Sequence, residues 1–286
     1  MAQVKGLENL VNIPCPLDKA YAQFVPESIQ TASEIQRQRI NDKSLRSEWF
    51  ITGDGCIYNF ESGQAVLYFT DTALNPVLKQ GNIADAVSQI RQNGNYKVKA
   101  DDFSLIQKEA AKKNGGAKHY ALSDLGLTRF DNEWSFYEID TKKHDKLNEA
   151  QRALAEQVHG KGEQFGESMN MLREAGISKT RIYVLNPEYV KSVANDGSVA
   201  RVGWLSDFYN DSSFFAINRY VDYYDSRVRG VRRDSVAEGD AAKIIPFDYG
   251  KAYDALLAKP EEALEHLNKK RAAGLLDLAN KFYQKQ

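Results

Sequence analysis

Between Trp204 and Arg229 the chain interleaves two sets of residues whose types suit molecular recognition more than catalysis. One set is polar or tyrosyl: Tyr209, Asn210, Asp211, Ser213, Asn218, Tyr220, Asp222, Tyr223, Tyr224, Asp225 and Ser226. The other could build a scaffold. Trp204, Leu205, Phe208, Phe214 and Ala216 suit packing, Arg219 and Arg232 suit fork-shaped hydrogen bonding, and Gly230 permits close backbone approach. Asp, Asn and Ser compete for backbone hydrogen bonds and favour turns. Tyrosine adds broad, rigid contact area with few rotors, and small polar residues add adaptable hydrogen bonds, which is the chemistry of antibody loops. The same composition also fits a β-rich loop with half-buried structural tyrosines, and composition alone leaves both readings open.

A codon argument favours recognition. Changes confined to the adenines of AAC or AAT give Tyr, Asp, His, Ser, Thr or Ile by single steps, and Phe, Val, Ala and Gly among the double ones. The positions between the scaffold residues hold almost entirely members of that set.

Signals for other chemistry are weak. His119, His144, His159 and His266 are scattered, and none pairs with another His or Cys at metal-ligand spacing, so no metal and no cofactor is expected. Gly160-Lys161-Gly162 with Gly166 lacks the spacing and the Lys-Ser/Thr end of a phosphate loop, and reads as a helix irregularity. Neither a Gly-x-Ser-x-Gly elbow nor a His-Glu-x-x-His pair occurs. The expectation is a protein that is not an enzyme, with no catalytic residues.

The pattern Arg201-x-x-Trp204, Ser212, Ala216-x-x-Arg219 and Arg229-Gly230-Val231-Arg232 resembles the end of C-type-lectin-like domains related to formylglycine-generating enzymes. It is similar in particular to variable proteins diversified by retroelements in bacteria, archaea and their viruses, where the pattern runs Arg-Gly-Gly-Ser-Trp, Ala-x-x-Arg, Gly-Phe-Arg. Leu185 to Val190 and the ending Arg229 to Arg233 resemble archaeal proteins of this kind. The resemblance spans residues from about Thr180 to Arg233. It implies that Trp204, Ala216, Arg219, Gly230 and Arg232 are scaffold. The ligand-facing set it implies is Ser206, Asp207, Tyr209, Asn210, Asp211, Ser213, Phe215, Ile217, Asn218, Tyr220, Val221, Asp222, Tyr223, Tyr224, Asp225 and Ser226.

Three departures stand out: Arg201-Val202-Gly203 replaces Arg-Gly-Gly, Val231 replaces the aromatic, and about fifty residues follow the motif. The oxidation chemistry of formylglycine-generating enzymes is not implied, because it needs a cysteine pair near this end and no cysteine follows Cys56. A calcium-dependent sugar site is not implied either, since Asn186-Pro187-Glu188 reverses the Glu-Pro-Asn order and reads as a turn.

The elements that must position this stretch follow from periodicity. Residues 1–47 read as an N-terminal arm, extended over 1–25 with Pro14 and Pro16 and then a polar helical segment from Pro26 to Ser44. Trp49-Phe50-Ile51, a Gly53-Asp54-Gly55 turn, Cys56-Ile57-Tyr58 and Ala65 to Phe69 read as short strands. Helices are expected over Ile83–Ile90 and about Asp102–Lys113, the latter stopped by Asn114-Gly115-Gly116. Trp134 to Ile139 alternates as a strand. Asp145–Ala175 is helical, as one helix or as two broken at Gly160 and Gly162. A strand over Thr180–Leu185, a short segment Glu188–Ala194 and a closing strand Val228–Arg232 follow. Lys259–Gln286 has an apolar stripe of Leu264, Leu267, Leu275, Leu278 and Phe282, read as an amphipathic helix for packing or homo-oligomerisation. The expected fold class is α+β: a C-type-lectin-like domain over 48–238 with an irregular, loop-rich variable face (204–229), and a helical extension over 239–286.

The bulk numbers allow this. With 286 residues, 42% hydrophobic and 27% charged, the chain can bury a sizeable core. A net charge of −1 from 38 basic and 39 acidic side chains gives no field to hold a polyanion, so nucleic acid is disfavoured. Arg219, Arg227, Arg229, Arg232 and Arg233 among tyrosines keep nucleic-acid binding by residues 219–233 as the alternative, opposed by Asp207, Asp211, Asp222 and Asp225. Two cysteines, no apolar signal segment and no run near the roughly 20 residues of a membrane span point to a cytoplasmic protein with no membrane partner. The expected partner is an unknown protein or glycan ligand.

Overall fold

A computed structural model describes residues 10–25, 28–59, 64–68, 72–79, 81–113, 115–194, 197–208, 213–219, 221 and 225–232. Helices and strands mix along the chain. The helices are α1 (Leu17–Gln23), α2 (Ala32–Asn41), α3 (Ile83–Asn93), α4 (Ala100–Ala110), α5 (Glu149–His159), α6 (Glu163–Glu174) and α7 (Pro187–Val193). The strands are β1 (Leu10–Pro14), β2 (Trp49–Asn59), β3 (Gln64–Tyr68), β4 (Tyr96–Lys97), β5 (Lys118–Ala121), β6 (Thr128–Arg129), β7 (Trp134–Asp140), β8 (Lys179–Leu185), β9 (Ser198–Leu205), β10 (Ser213–Asn218) and β11 (Ser226–Val231).

Among the described residues the strands pair in the order β1-β11-β2-β9-β10-β8-β7-β6, with β3 joining β2 to β5 and β4 pairing with β9. β2, β9 and β10 run antiparallel in turn, while β10 lies parallel to β8 and β11 parallel to β2. The sheet carries a hydrophobic layer on each face. Phe50, Cys56, Leu205, Phe215 and Ile217 meet Ile35 of α2, Leu154 and Val158 of α5 and Phe165, Met169 and Leu172 of α6. Ile51, Ile57, Val202, Trp204 and Ala216 meet Leu17 of α1, Val87 and Ile90 of α3 and Ile106 of α4. β9 is buried along its whole length, with Arg201 its one charged side chain.

Several expectations are corrected. Residues 10–47 are no arm. β1 pairs with β11 from Leu10↔Val231 to Pro14↔Arg227, and the buried Leu17, Ala20 and Tyr21 of α1 and Ile35 of α2 are core. The expected domain start at residue 48 therefore gives way to one at Leu10 or earlier. The polar helix is real but shorter; α2 begins at a capping box of Thr31 and Glu34.

Gly53-Asp54 is not a turn between strands but an irregularity inside β2, where the register passes from Thr52↔Gly203 to Gly55↔Val202. Contacts from outside the strand fix it: Gly53 N–H donates to the Gln30 carbonyl (2.8 Å), and the Asn75 amide donates to the Gly53 carbonyl (2.9 Å). A Cβ on Gly53 would come within 2.3 Å of Thr72 Cγ2 and 2.9 Å of the Ile29 carbonyl oxygen.

The stretch 145–175 forms two helices, α5 and α6. Gly160 (φ 98°) and Gly162 (φ 58°) take backbone conformations that other residues rarely adopt, and so break it. The expected C-terminal helix lies outside the described residues, as does the whole 239–286 extension. Among the described residues, no helix is long and apolar enough to cross a membrane.

Candidate recognition face

Two connections carry the polar and tyrosyl set. The first joins β9 to β10 and is closed at its base by Ser206 and Phe214. Ser206 N–H donates to the Phe214 carbonyl (2.9 Å), and Phe214 N–H donates back to Ser206 Oγ (2.8 Å). Phe208 pins the same connection to the body: its N–H donates to the Arg46 carbonyl (2.8 Å), and its ring lies 4.9 Å from the Arg39 guanidinium. Arg39 is fully buried and donates to the carbonyls of Leu45 (3.0 Å) and Glu48 (2.7 Å). Burial pulls its pKa down to about 9, opposed by the Asp207 carboxylate, which favours the cation.

The second connection runs from Asn218 of β10 to Ser226 of β11. Because the strand order is β11-β2-β9-β10, it must pass both β9 and β2. Its start is held by Arg219, whose guanidinium lies 3.6 Å from the Glu133 carboxylate. The same carboxylate accepts from Arg201 Nη1 (2.6 Å), a fully buried guanidinium that also donates to Asn95 Oδ1 (2.8 Å) and lies over the rings of Trp134 and Tyr189. Midway, Val221 is buried in the layer of α1, and its carbonyl accepts from Leu17 N–H (2.9 Å). This places Val221 on the face that bears Trp204. At the far end Trp204 Nε1 donates to Ser226 Oγ (2.9 Å), and the indole stacks on Trp49 with centroids 4.6 Å apart. A buried indole N–H needs an acceptor, and Ser226 supplies it.

The structure redistributes the expected ligand-facing set. Phe215 and Ile217 are each 1% exposed, because β10 is covered on both faces and these two point into the layer of α2, α5 and α6. Ser206, Ser213, Val221 and Ser226 are also buried. Ser206 and Ser226 serve as hydrogen-bonding anchors, and the Ser213 carbonyl accepts from Thr180 Oγ1 (3.0 Å). These six are corrected from ligand contacts to framework. Asp207 is half-buried and Asp225 exposed. Tyr209, Asn210, Asp211, Tyr220, Asp222, Tyr223, Tyr224 and the side chain of Asn218 lie outside the described residues.

Of the expected scaffold, Trp204, Ala216 and Gly230 are buried. A Cβ on Gly230 would sit 3.1 Å from Phe24 Cδ1 and from Ser28 Oγ. Arg219 and Arg232 are exposed; Arg219 pairs with Glu133, and Arg232 bridges to Phe24 through its backbone. Arg39, Trp49 and Glu133, which sequence reasoning passed over, complete the framework. Phe208, which meets Arg39, Trp204, which meets Trp49, and Arg201 and Arg219, which meet Glu133, lie far away in sequence, so that only the fold reveals these contacts.

From Trp204 an aromatic line continues across the sheet, through Phe214 (5.8 Å between centroids), Tyr183 (5.6 Å) and Phe136 (5.3 Å). Among the described residues no group of His, Cys, Asp or Glu could hold a metal ion.

No family model matches the chain, and no curated protein matches it. A solved structure does. Its description reports the accommodation of massive sequence variation in Nanoarchaeota by the C-type lectin fold. The likeness has a TM-score of 0.50 at 14% identity and covers 78% of this chain and 96% of that one. The fold is C-type-lectin-like.

Proposed function

We propose that this chain is a non-enzymatic ligand-binding protein that presents a diversified Tyr/Asn/Asp/Ser-rich surface on its C-type-lectin-like scaffold, with a protein or a glycan as ligand. The observation that carries this reading is the division of labour at the two connections. Their junctions are clamped by buried groups, Ser206 with Phe214 and Trp204 with Ser226. The polar and tyrosyl residues Tyr209 to Asp211 and Asp222 to Tyr224 fall between the clamps. A frame fixed in this way tolerates exchange of the residues it carries. The codon pattern of those residues and the sequence variation described for the Nanoarchaeota structure support diversification by a retroelement as its source.

The nucleic-acid alternative is disfavoured because three of its five arginines are engaged within the fold. Arg219 pairs with Glu133, Arg227 with Glu48 (3.7 Å), and Arg229 donates to Gln38 and Asn12 (2.6 Å each). Phosphate contacts need cations free to release counterions.

A displayed library varied at 209–211 and 222–224 tests the reading. Most members are expected to fold with thermal midpoints within a few degrees of the parent, and panning on immobilised lysozyme and on yeast mannan is expected to yield specific clones. A library that mostly unfolds, or that gives no clone on either probe, refutes it.

A further inference from the structure

A cavity of about 540 Å³ opens between α2 and the paired strands β1 and β11. That volume is in the range of small-molecule sites, roughly 300–1,000 Å³. Leu10, Leu45 and Val231 supply its apolar wall. Its polar groups are ordered by one chain of hydrogen bonds. Arg229 donates from Nε to Gln38 Oε1 and from Nη1 to Asn12 Oδ1 (2.6 Å each), and Gln38 Nε2 donates onward to Gln30 Oε1 (2.6 Å).

Arg229 is half-buried in this lining, yet both of its partners are neutral amides. It forms no ion pair with a described residue, whereas Arg227, two positions back on β11 and also half-buried, has Glu48. Burial lowers the pKa of Arg229, opposed by the charge of Asp42, so the site works against the cation it holds. Two carboxylates share the lining, and helix caps already engage both. Glu34 accepts from Thr31 N–H (2.8 Å) and Oγ1 (3.0 Å), and Asp42 accepts from Ser44 N–H (3.0 Å) and Oγ (2.6 Å). Together with the exposed Arg37 they leave the cavity without a net charge, so nothing in it favours a dianion.

We propose that this cavity binds a small monocarboxylate with an apolar chain. A guanidinium carries five N–H groups in a fork that matches a carboxylate, and Gln38 and Asn12 take only two of them. The ligand would supply the counter-charge that Arg229 lacks, and its chain would leave water for the wall of Leu10, Leu45 and Val231. The proposal does not depend on what residues 209–211 and 222–224 bind.

Calorimetric titration of the full chain with sodium octanoate tests it. 1-Octanol, which has the chain without the charge, and octanedioate, which adds a second carboxylate, serve as comparisons. Octanoate is expected to saturate one site below about 10 mM, and the other two to bind about tenfold more weakly or worse. Arg229→Gln removes the charge and keeps an amide donor, and is expected to weaken octanoate by about tenfold or more. Asn41→Trp adds bulk to the cavity wall at an exposed position of α2, and is expected to weaken octanoate as much with an unchanged thermal midpoint. Arg227→Gln is expected to leave binding as it is. The absence of saturable octanoate binding overturns the proposal, as does equally tight binding of octanol or octanedioate. So does octanoate affinity that survives Arg229→Gln or Asn41→Trp, or that is lost in Arg227→Gln.

Discussion

The Trp204 indole donates to the hydroxyl of Ser226 across 2.9 Å, and this bond joins β9, which precedes the polar and tyrosyl stretch, to β11, which follows it. Both groups are buried, so neither can turn to water for a substitute. Ser226→Ala is therefore expected to strand the indole N–H and to cost about 1–3 kcal/mol in urea unfolding. A loss below about 0.5 kcal/mol would mean that the bond does not hold the segment.

Glu133 compensates the buried guanidinium of Arg201 and reaches Arg219 as well. Glu133→Gln keeps the shape and removes the charge. It is expected to cost about 2–4 kcal/mol, because it leaves a buried cation without its counter-charge. Arg201→Lys should fail to rescue, since lysine lacks the fork that serves Glu133 and Asn95 together. Equal stability of wild type and Glu133→Gln would show that the pair contributes nothing.

Phe208→Ala removes the ring over Arg39 while leaving the backbone bond to Arg46. The expected loss is about 1–3 kcal/mol, from packing and the cation–π contact. Limited proteolysis should then cut within residues 206–213 faster than in the parent. Unchanged cleavage there would argue that the ring is not what fixes this connection.

His159 is buried, with Nδ1 facing the Gln36 amide (3.2 Å). Burial, with a smaller contribution from the charge of Arg39, lowers its pKa from 6.5 to about 3. The unfolded chain thus binds a proton that the folded chain does not between these values. The stability due to neutral His159 is complete above about pH 6.5 and is lost as the pH falls toward 3. His159→Gln should flatten the stability profile across that window, as read from thermal midpoints at pH 7, 5.5 and 4. Parallel profiles for the two proteins would exclude this histidine as a source of acid sensitivity.

Where one local pattern decided the outcome, the sequence was legible. The alternation over Trp134–Ile139 appears as β7, the β-branched run Thr180–Leu185 as most of β8, and Asn186-Pro187 starts α7 with the asparagine side chain accepting from Glu188 N–H. The burial of Trp204, Ala216 and Gly230 was legible too, from their residue types. Phe215 and Ile217 were misread for a physical reason. Alternation along β10 marks them as opposite in facing to Ala216, but it cannot reveal that a second layer of helices covers that side as well. Residues 10–47 were misread because the pairing of β1 with β11 spans nearly the whole described chain, and no local signal encodes such a contact. Ser206 and Ser226 look like loop residues by type, and only their distant partners show that they hold the frame.

The register passage in β2 also bears on how this strand can tolerate length change. Gly53 and Asp54 enter as a pair opposite a single step of β9, so Phe50 before them and Cys56 after them still point into the same layer. Losing both would keep the side-chain phase intact. Losing one would invert it, sending Cys56 and Tyr58 to the side now held by Ile57 and setting each half of the strand at odds with the other. Indels here should therefore survive selection only in even numbers.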